Sequence, residues 1–164
     1  MQTRDPLKLS ERILAQLKEG AFLTVQAEAA LNTMTIGWGL IGFLWQRPVF
    51  MVPVRDSRHT FTLLEKARDF TVSVPSGDMQ EALTFCGTRS GRDLDKLEAC
   101  RLAVRPAQQT ATPILDIPGL HLECRLVYGM PLDRARLDTA LLPLYPQADF
   151  HTLYFGEIAA CYEL

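Results

Sequence analysis

Residues 32–48 read NTMTIGWGLIGFLWQRP, and Gly37, Gly39 and Gly42 within them have the G-x-G-x-x-G spacing of a dinucleotide-binding turn. That spacing serves a nucleotide only where a strand turns into a helix whose first amides hold the pyrophosphate. Here Phe43, Leu44, Trp45, Gln46 and Arg47 alone separate the last glycine from Pro48, and the chain then enters VFMVPV, a strand-like run. A βαβ crossover takes at least about 10 to 12 residues. No crossover helix fits, so Asp56 lacks the geometry of a ribose ligand despite its suggestive distance, and a Rossmann fold is excluded. The glycines read instead as tight bends or a close chain crossing in a barrel.

Outward from this stretch, short β-branched and aromatic runs bounded by turn formers predict strands at 21–27, 49–54, 70–75, 120–129 and 149–164. Pro53 cannot donate to a ladder, which places an edge or bulge there. Helices are expected at 10–20, stopped by Gly20, at 57–68, and at 78–86, where Met79, Ala82, Leu83 and Cys86 share a face between Asp78 and Gly87. A fourth opens at Ser90, with Asp93 three residues on. Residues 106–119, with three prolines, read as a long surface connection. Strands dominating over short helices, without strict βαβ alternation, predict a mainly β fold, a β-barrel with short helices, or an α+β fold.

The 164 residues suit one domain, 1–164. A net charge of −2 gives no general attraction to nucleic acid or anionic membranes. The N-terminus lacks a signal-like apolar run, and no stretch approaches the ~20 apolar residues of a membrane span, so a cytoplasmic protein is expected. Cys86, Cys100, Cys124 and Cys161 are scattered without a C-x-x-C pair, which predicts reduced, mostly buried thiols and no metal site.

Three segments carry chemistry. VRDSRHT (54–60) joins a strand to a helix and sets Arg55, Ser57, Arg58, His59 and Thr60 around free amides, a place suited to an anion or to a simple capped helix. CGTRSGRDLDK (86–96) repeats the theme with Ser90, Gly91, Arg92 and Lys96, although Asp93 and Asp95 also allow a surface helix with internal ion pairs. Asn32, Thr33 and Thr35 alternate with Met34, Ile36 and Trp38, a mixture that suits a planar heterocycle as well as ordinary core. On the last strand, His151 and Glu157 share a face.

Taken together, NTMTIGWG with its following G–W–P run, VRDSRHT, CGTRSGRDLDK, LEC (122–124) and HTLYFGEI (151–158) resemble, in order and over nearly the whole chain, the flavin reductase-like family of FMN-binding split barrels that includes flavoredoxin. The resemblance implies an FMN site in which Asn32, Met34, Thr35, Ile36 and Trp38 line the isoalloxazine. Arg55, Ser57 and Thr60 hold the phosphate, and Ser90, Gly91, Arg92 and Lys96 close over the rest. It implies His151 near the reactive face as the catalytic candidate, NAD(P)H as hydride donor, and a homodimer with the flavin near the subunit interface. The activity implied is an NAD(P)H-dependent flavin reductase or, in a different class, an electron carrier that keeps its FMN and serves a protein redox partner. The chain departs from the family pattern at Leu40, expected to narrow the substrate pocket, and at Pro53 and Asp56, the latter expected to weaken anion binding.

Overall fold

Gly37, Trp38 and Gly39 are the only residues between two strands that lie at opposite edges of one seven-stranded sheet. In the computed structural model, which describes residues 2–164, the chain runs α1 (Ser10–Glu19), β1 (Ala21–Ala27), β2 (Ala30–Ile36), β3 (Leu40–Leu44), β4 (Arg47–Arg55) and α2 (His59–Leu64). It continues through β5 (Asp69–Pro75), α3 (Gln80–Thr88), α4 (Lys96–Ala99), β6 (Val104–Arg105), β7 (Ile114–Leu115), β8 (Gly119–Pro131) and β9 (His151–Glu163). The sheet order is β2-β1-β5-β8-β9-β4-β3, with every pair antiparallel.

Strands lie about 4.8 Å apart, so a flat sheet of this order would hold its edges roughly 29 Å from each other. Four residue steps of extended chain reach at most ~14 Å. The sheet must therefore roll until β2 and β3 face each other across an open seam, which is a split barrel. Gly39 makes the crossing possible: a Cβ there would stand 2.9 Å from the Phe50 ring and 3.1 Å from the Met51 carbonyl oxygen. Gly42, by contrast, has nothing near its Cβ position, so the three-glycine spacing is not one functional unit.

The roll encloses the main core, in which Leu23, Val25, Phe50, Val52, Phe70, Val72, Leu122 and Cys124 are fully buried. Helix α1 seals one end with Ile13 and Leu17. Gly156 sits where a Cβ would meet the Phe70 ring at 2.6 Å, so β9 can cross that core only as glycine. The expected strands all form. Pro53 lies past the last β3–β4 pair, Leu40 with Met51, and has β9 alone as neighbour, the edge that proline requires.

Two expectations are corrected. Residues 106–119 are no mere surface connection: Ile114 and Leu115 are fully buried as β7, and five successive amides are pinned by carboxylates. Glu123 accepts from the amides of Gln108 (2.8 Å), Gln109 (2.5 Å) and Thr110 (3.1 Å), and Asp69 from those of Ala111 (3.0 Å) and Thr112 (2.9 Å). Nor does a helix open at Ser90. Its hydroxyl accepts from the Arg92 amide two residues on (3.2 Å), a local turn that competes with helix. The helix begins at Lys96 instead, where Asp95 caps it by accepting from Leu97 N (2.8 Å) and Glu98 N (3.1 Å).

All four cysteines are free; Cys86, Cys124 and Cys161 are buried and Cys100 is half-buried. Among the described residues no helix is long and apolar enough to cross a membrane.

Candidate functional site

Two adjoining clefts open along β2, and each of the thirteen residues that the family resemblance assigns to the site lines one or both of them. The first, about 170 Å³, is bordered by Asn32, Met34, Ser57, Thr60, Ser90, Gly91, Arg92 and Lys96. The second, about 180 Å³, is bordered by Met34, Thr35, Ile36, Trp38, Arg55 and His151. Met34 and Arg58 belong to both, so the clefts form one elongated groove with a cationic end and an aromatic end.

At the cationic end the polar residues of β2 find partners that fix the wall. Asn32 Nδ2 donates to Thr60 Oγ1 (2.8 Å), joining β2 to α2, and the Thr35 hydroxyl donates to the Leu83 carbonyl, joining β2 to α3. Gly91 lies against this wall so closely that a Cβ would stand 2.1 Å from Asn32 Oδ1. Only glycine lets the Ser90–Lys96 segment fold down onto β2. Arg92 donates to the Ser57 carbonyl (2.9 Å), Arg58 to the Gly87 carbonyl (3.1 Å) and Lys96 Nζ to the Cys86 carbonyl (2.8 Å). Lys96 is buried, and burial lowers its pKa.

The ion pairs among the described residues involve Arg4, Arg12, Arg47, Lys66, Arg105 and Arg136, and none involves Arg55, Arg58, Arg92 or Lys96. Cations that converge on one cleft without carboxylate partners fit an anionic ligand such as a phosphate ester.

At the aromatic end Trp38, 47% exposed, stands with its ring centroid 5.2 Å from that of His151. His151 is buried, and its Nδ1 is 2.9 Å from the Tyr145 hydroxyl. Burial first, and then the Arg55 guanidinium, hold its pKa down at about 4, so the imidazole is neutral at neutral pH. It can accept or share a hydrogen bond there but carries no proton to give as an acid. Glu157, on the same strand, is turned to Arg47 (2.8 Å) and borders neither cleft.

The structure gives five local features partners or places that their spacing did not foretell. Helix α2 starts at His59 and lacks a side-chain cap. Ser57 spends its amide (3.3 Å) and hydroxyl (2.6 Å) on the Asp149 carboxylate. Arg55 donates to the carbonyls of Asp149 (2.7 Å) and Leu144 (3.0 Å) and stacks over Tyr145, so in this conformation it anchors residues 144–149 beside the groove. Asp56 accepts from the Thr152 hydroxyl (2.8 Å). Leu40, 63% exposed, lies on an outer apolar face with Phe43, Leu44 and Phe155 and narrows neither cleft. Sequence reasoning passed over Asp149 and Tyr145, because nothing in their local spacing ties a loop 90 residues away to VRDSRHT.

All three histidines have pKa values below the ordinary 6.5, each through burial first; at His59 the charges of Arg92 and Lys96 add to it. The unfolded chain therefore binds protons that the fold refuses. This contribution to stability is complete above pH 6.5 and is lost as pH falls towards 4. Urea midpoints are expected to fall between roughly pH 7.5 and roughly pH 5.5, before most carboxylates titrate. A flat midpoint over that interval would refute the protonation argument.

The chain is thus a rolled antiparallel split barrel of the mainly β class, with a groove that is cationic at one end and aromatic at the other. The comparisons give the family: residues 19–163 match the flavin reductase like domain, and the chain belongs to that family. An FMN-binding protein from Thermus thermophilus, solved with bound 1-cyclohex-2-enone, is 25% identical with a TM-score of 0.69, over 88% of this chain and 69% of that one. The flavoredoxin of Desulfovibrio vulgaris (Miyazaki F) is 20% identical with a TM-score of 0.70, over the same shares of the two chains. An FMN-binding domain of a flavin reductases-like enzyme from Shewanella baltica OS155 shares the fold at a TM-score of 0.73 and 16% identity, over 99% of this chain and 76% of that one.

Proposed function

We propose that this chain binds FMN along the groove and acts as an NAD(P)H-dependent flavin reductase, working as a homodimer. The observation that carries the reading is the junction of the two clefts at Met34 and Arg58, which lets one ligand touch unpaired cations and the Trp38–His151 pair together. FMN has a phosphate at one end and a planar ring at the other, and the residues present fit both. Arg58, Arg92 and Lys96, with Thr60 and Ser90, would hold the phosphate and ribityl chain, while Met34, Thr35, Ile36 and Trp38 would flank the ring.

Bound FMN supplies hydride transfer; the protein supplies position and electrostatics. Lys96 places a buried positive charge beside the groove. Trp38 leaves half its surface open to a second planar ring, and neutral His151, held by the Tyr145 hydroxyl, borders that opening without offering a competing proton.

The homodimer is supported by an apolar face outside the groove. Leu40 (63% exposed), Phe43 (67%) and Trp45 (50%) lie there near Tyr128, and Trp45 packs edge-on against Tyr128 and Phe155. Contiguous exposed apolar surface of this kind marks an interaction site. A second copy of the chain fits the expected C₂ symmetry. Phe43→Glu is expected to convert the dimer to monomer in sedimentation, and a wild type that sediments as monomer removes the dimer reading.

The test of the activity is the visible spectrum of the purified protein, followed by anaerobic NADH or NADPH. A reductase bleaches its bound flavin and oxidises NAD(P)H faster as free FMN is added, up to saturation. Flavin that stays bound, ignores NAD(P)H and responds only to a reduced protein supports the carrier instead.

A further inference from the structure

The sulfurs of Cys86 and Cys100 are 4.0 Å apart. Cys86 occupies the last turn of α3, and Cys100 directly follows α4. Between them runs the segment that carries Ser90, Gly91, Arg92 and Lys96. Lys96 ties the two cysteines together: its Nζ donates to the Cys86 carbonyl (2.8 Å), and its own carbonyl accepts from the Cys100 amide (3.0 Å). A disulfide needs its sulfurs at about 2.05 Å, so the bond requires the two sulfurs to approach by about 2 Å.

The two thiols are not equivalent. Cys100 is half-buried and borders an open cavity of about 810 Å³ whose rim includes Asp78, Met79, Glu81, Phe85 and Arg101. The cavity is the side from which a small molecule would approach Cys100. Cys86 is buried, and burial, followed by its neighbour Cys100, pushes its thiol up to about 12. Cys124 and Cys161 lie in the main core and border none of the clefts described above. Cys100 is the sulfur open to the cavity, and Cys86 stands beside it as the resolving sulfur, reacting slowly because burial keeps its thiol protonated.

We propose that Cys86 and Cys100 are a reversible dithiol–disulfide site, oxidised by small-molecule disulfides that enter from the open cavity, and that the bond clamps the Ser90–Lys96 segment onto the barrel. The Cys100 thiolate attacks one sulfur of the oxidant RSSR, forming a mixed disulfide and releasing RS⁻. The Cys86 thiolate then attacks the Cys100 sulfur, forming the Cys86–Cys100 bond and releasing the second RS⁻. The protons lost by the two cysteines end on the two RS⁻ groups, so two cysteine thiols are oxidised and one disulfide is reduced to two thiols. Reduced dithiothreitol runs the exchange backwards.

The bond fixes both ends of the segment, which lowers the freedom of its open states and slows its local opening. This readout does not depend on the flavin assignment. The full chain as purified is equilibrated with oxidised dithiothreitol, alkylated under denaturing conditions and mapped by mass spectrometry. The expected result is one disulfide, between Cys86 and Cys100, with Cys124 and Cys161 alkylated. Amide exchange over residues 87–99 should slow by on the order of tenfold relative to the reduced protein. Reduced dithiothreitol should restore both the thiols and the faster exchange, and Cys100→Ser should form no disulfide. Four alkylated thiols at equilibrium, a disulfide joining any other pair, or unchanged exchange over 87–99 in the oxidised protein overturns the proposal.

Discussion

Replacing Glu123 by Ala is expected to lower the stability of the fold by roughly 3 to 5 kcal/mol, because one buried carboxylate holds three consecutive amides of the 106–119 loop. Glu123 is fully buried on β8, where it accepts from three consecutive amides, those of Gln108, Gln109 and Thr110, and from the Tyr162 hydroxyl. Each buried donor left without a partner costs about 1 to 3 kcal/mol, reduced where water enters at the loop's outer edge. The loss extends inward, since the same loop delivers Ile114 and Leu115 to the core. For a chain of this size about 2 to 4 °C of melting temperature corresponds to each kcal/mol, so a fall of roughly 10 °C is expected. Glu123→Gln should recover little, because its amide group brings donors to a place that supplies donors. A melting temperature within about 2 °C of wild type would show that the loop holds without its carboxylate pin.

The second large effect concerns Lys96. Lys96→Met keeps the length and packing of the stem but removes a buried charge that has no ion-pair partner among the described residues. The ammonium has three N–H donors, and one is used by the Cys86 carbonyl. A charge-assisted hydrogen bond from the others to a phosphate or ring oxygen contributes roughly 1.5 to 3 kcal/mol, so FMN affinity should fall about ten- to a hundredfold. The reduction potential of bound flavin should fall as well, because a nearby cation favours the more negative reduced form. Titration with FMN and with riboflavin separates the possibilities. A loss confined to FMN assigns Lys96 to the phosphate, an equal loss for both assigns it to the ring, and no loss for either returns it to a structural role on α4.

The order of strong local signals was legible along the chain. Short β-branched runs became β1, β4, β5, β8 and β9, and the apolar spacing of Ile13 and Leu17 became α1, because burial of one face follows from residue pattern alone. The failed crossover helix after Gly42 was equally local, and it excluded the doubly wound sheet. The thirteen residues assigned to the groove were found through motif resemblance and through the chemistry of cation-rich helix starts, and all of them border it.

Tertiary structure decided what depends on partners far apart in the chain. Strand β2 carries Asn32, Thr33 and Thr35 because Thr60, Thr24 and the Leu83 carbonyl satisfy them, a compensation invisible in the local pattern. The loop at 106–119 is ordered by Asp69 and Glu123, carboxylates from two other strands. Ser57 meets Asp149 across 92 residues, so its donors are committed in a way no local spacing foretells. Closure itself belongs to this second kind: the Gly37–Gly39 link is short, but only the strand order shows that it joins opposite edges and forces the sheet to roll. Local pattern determines which faces must be buried, and the long-range pairing of strands and carboxylates determines what they are buried against.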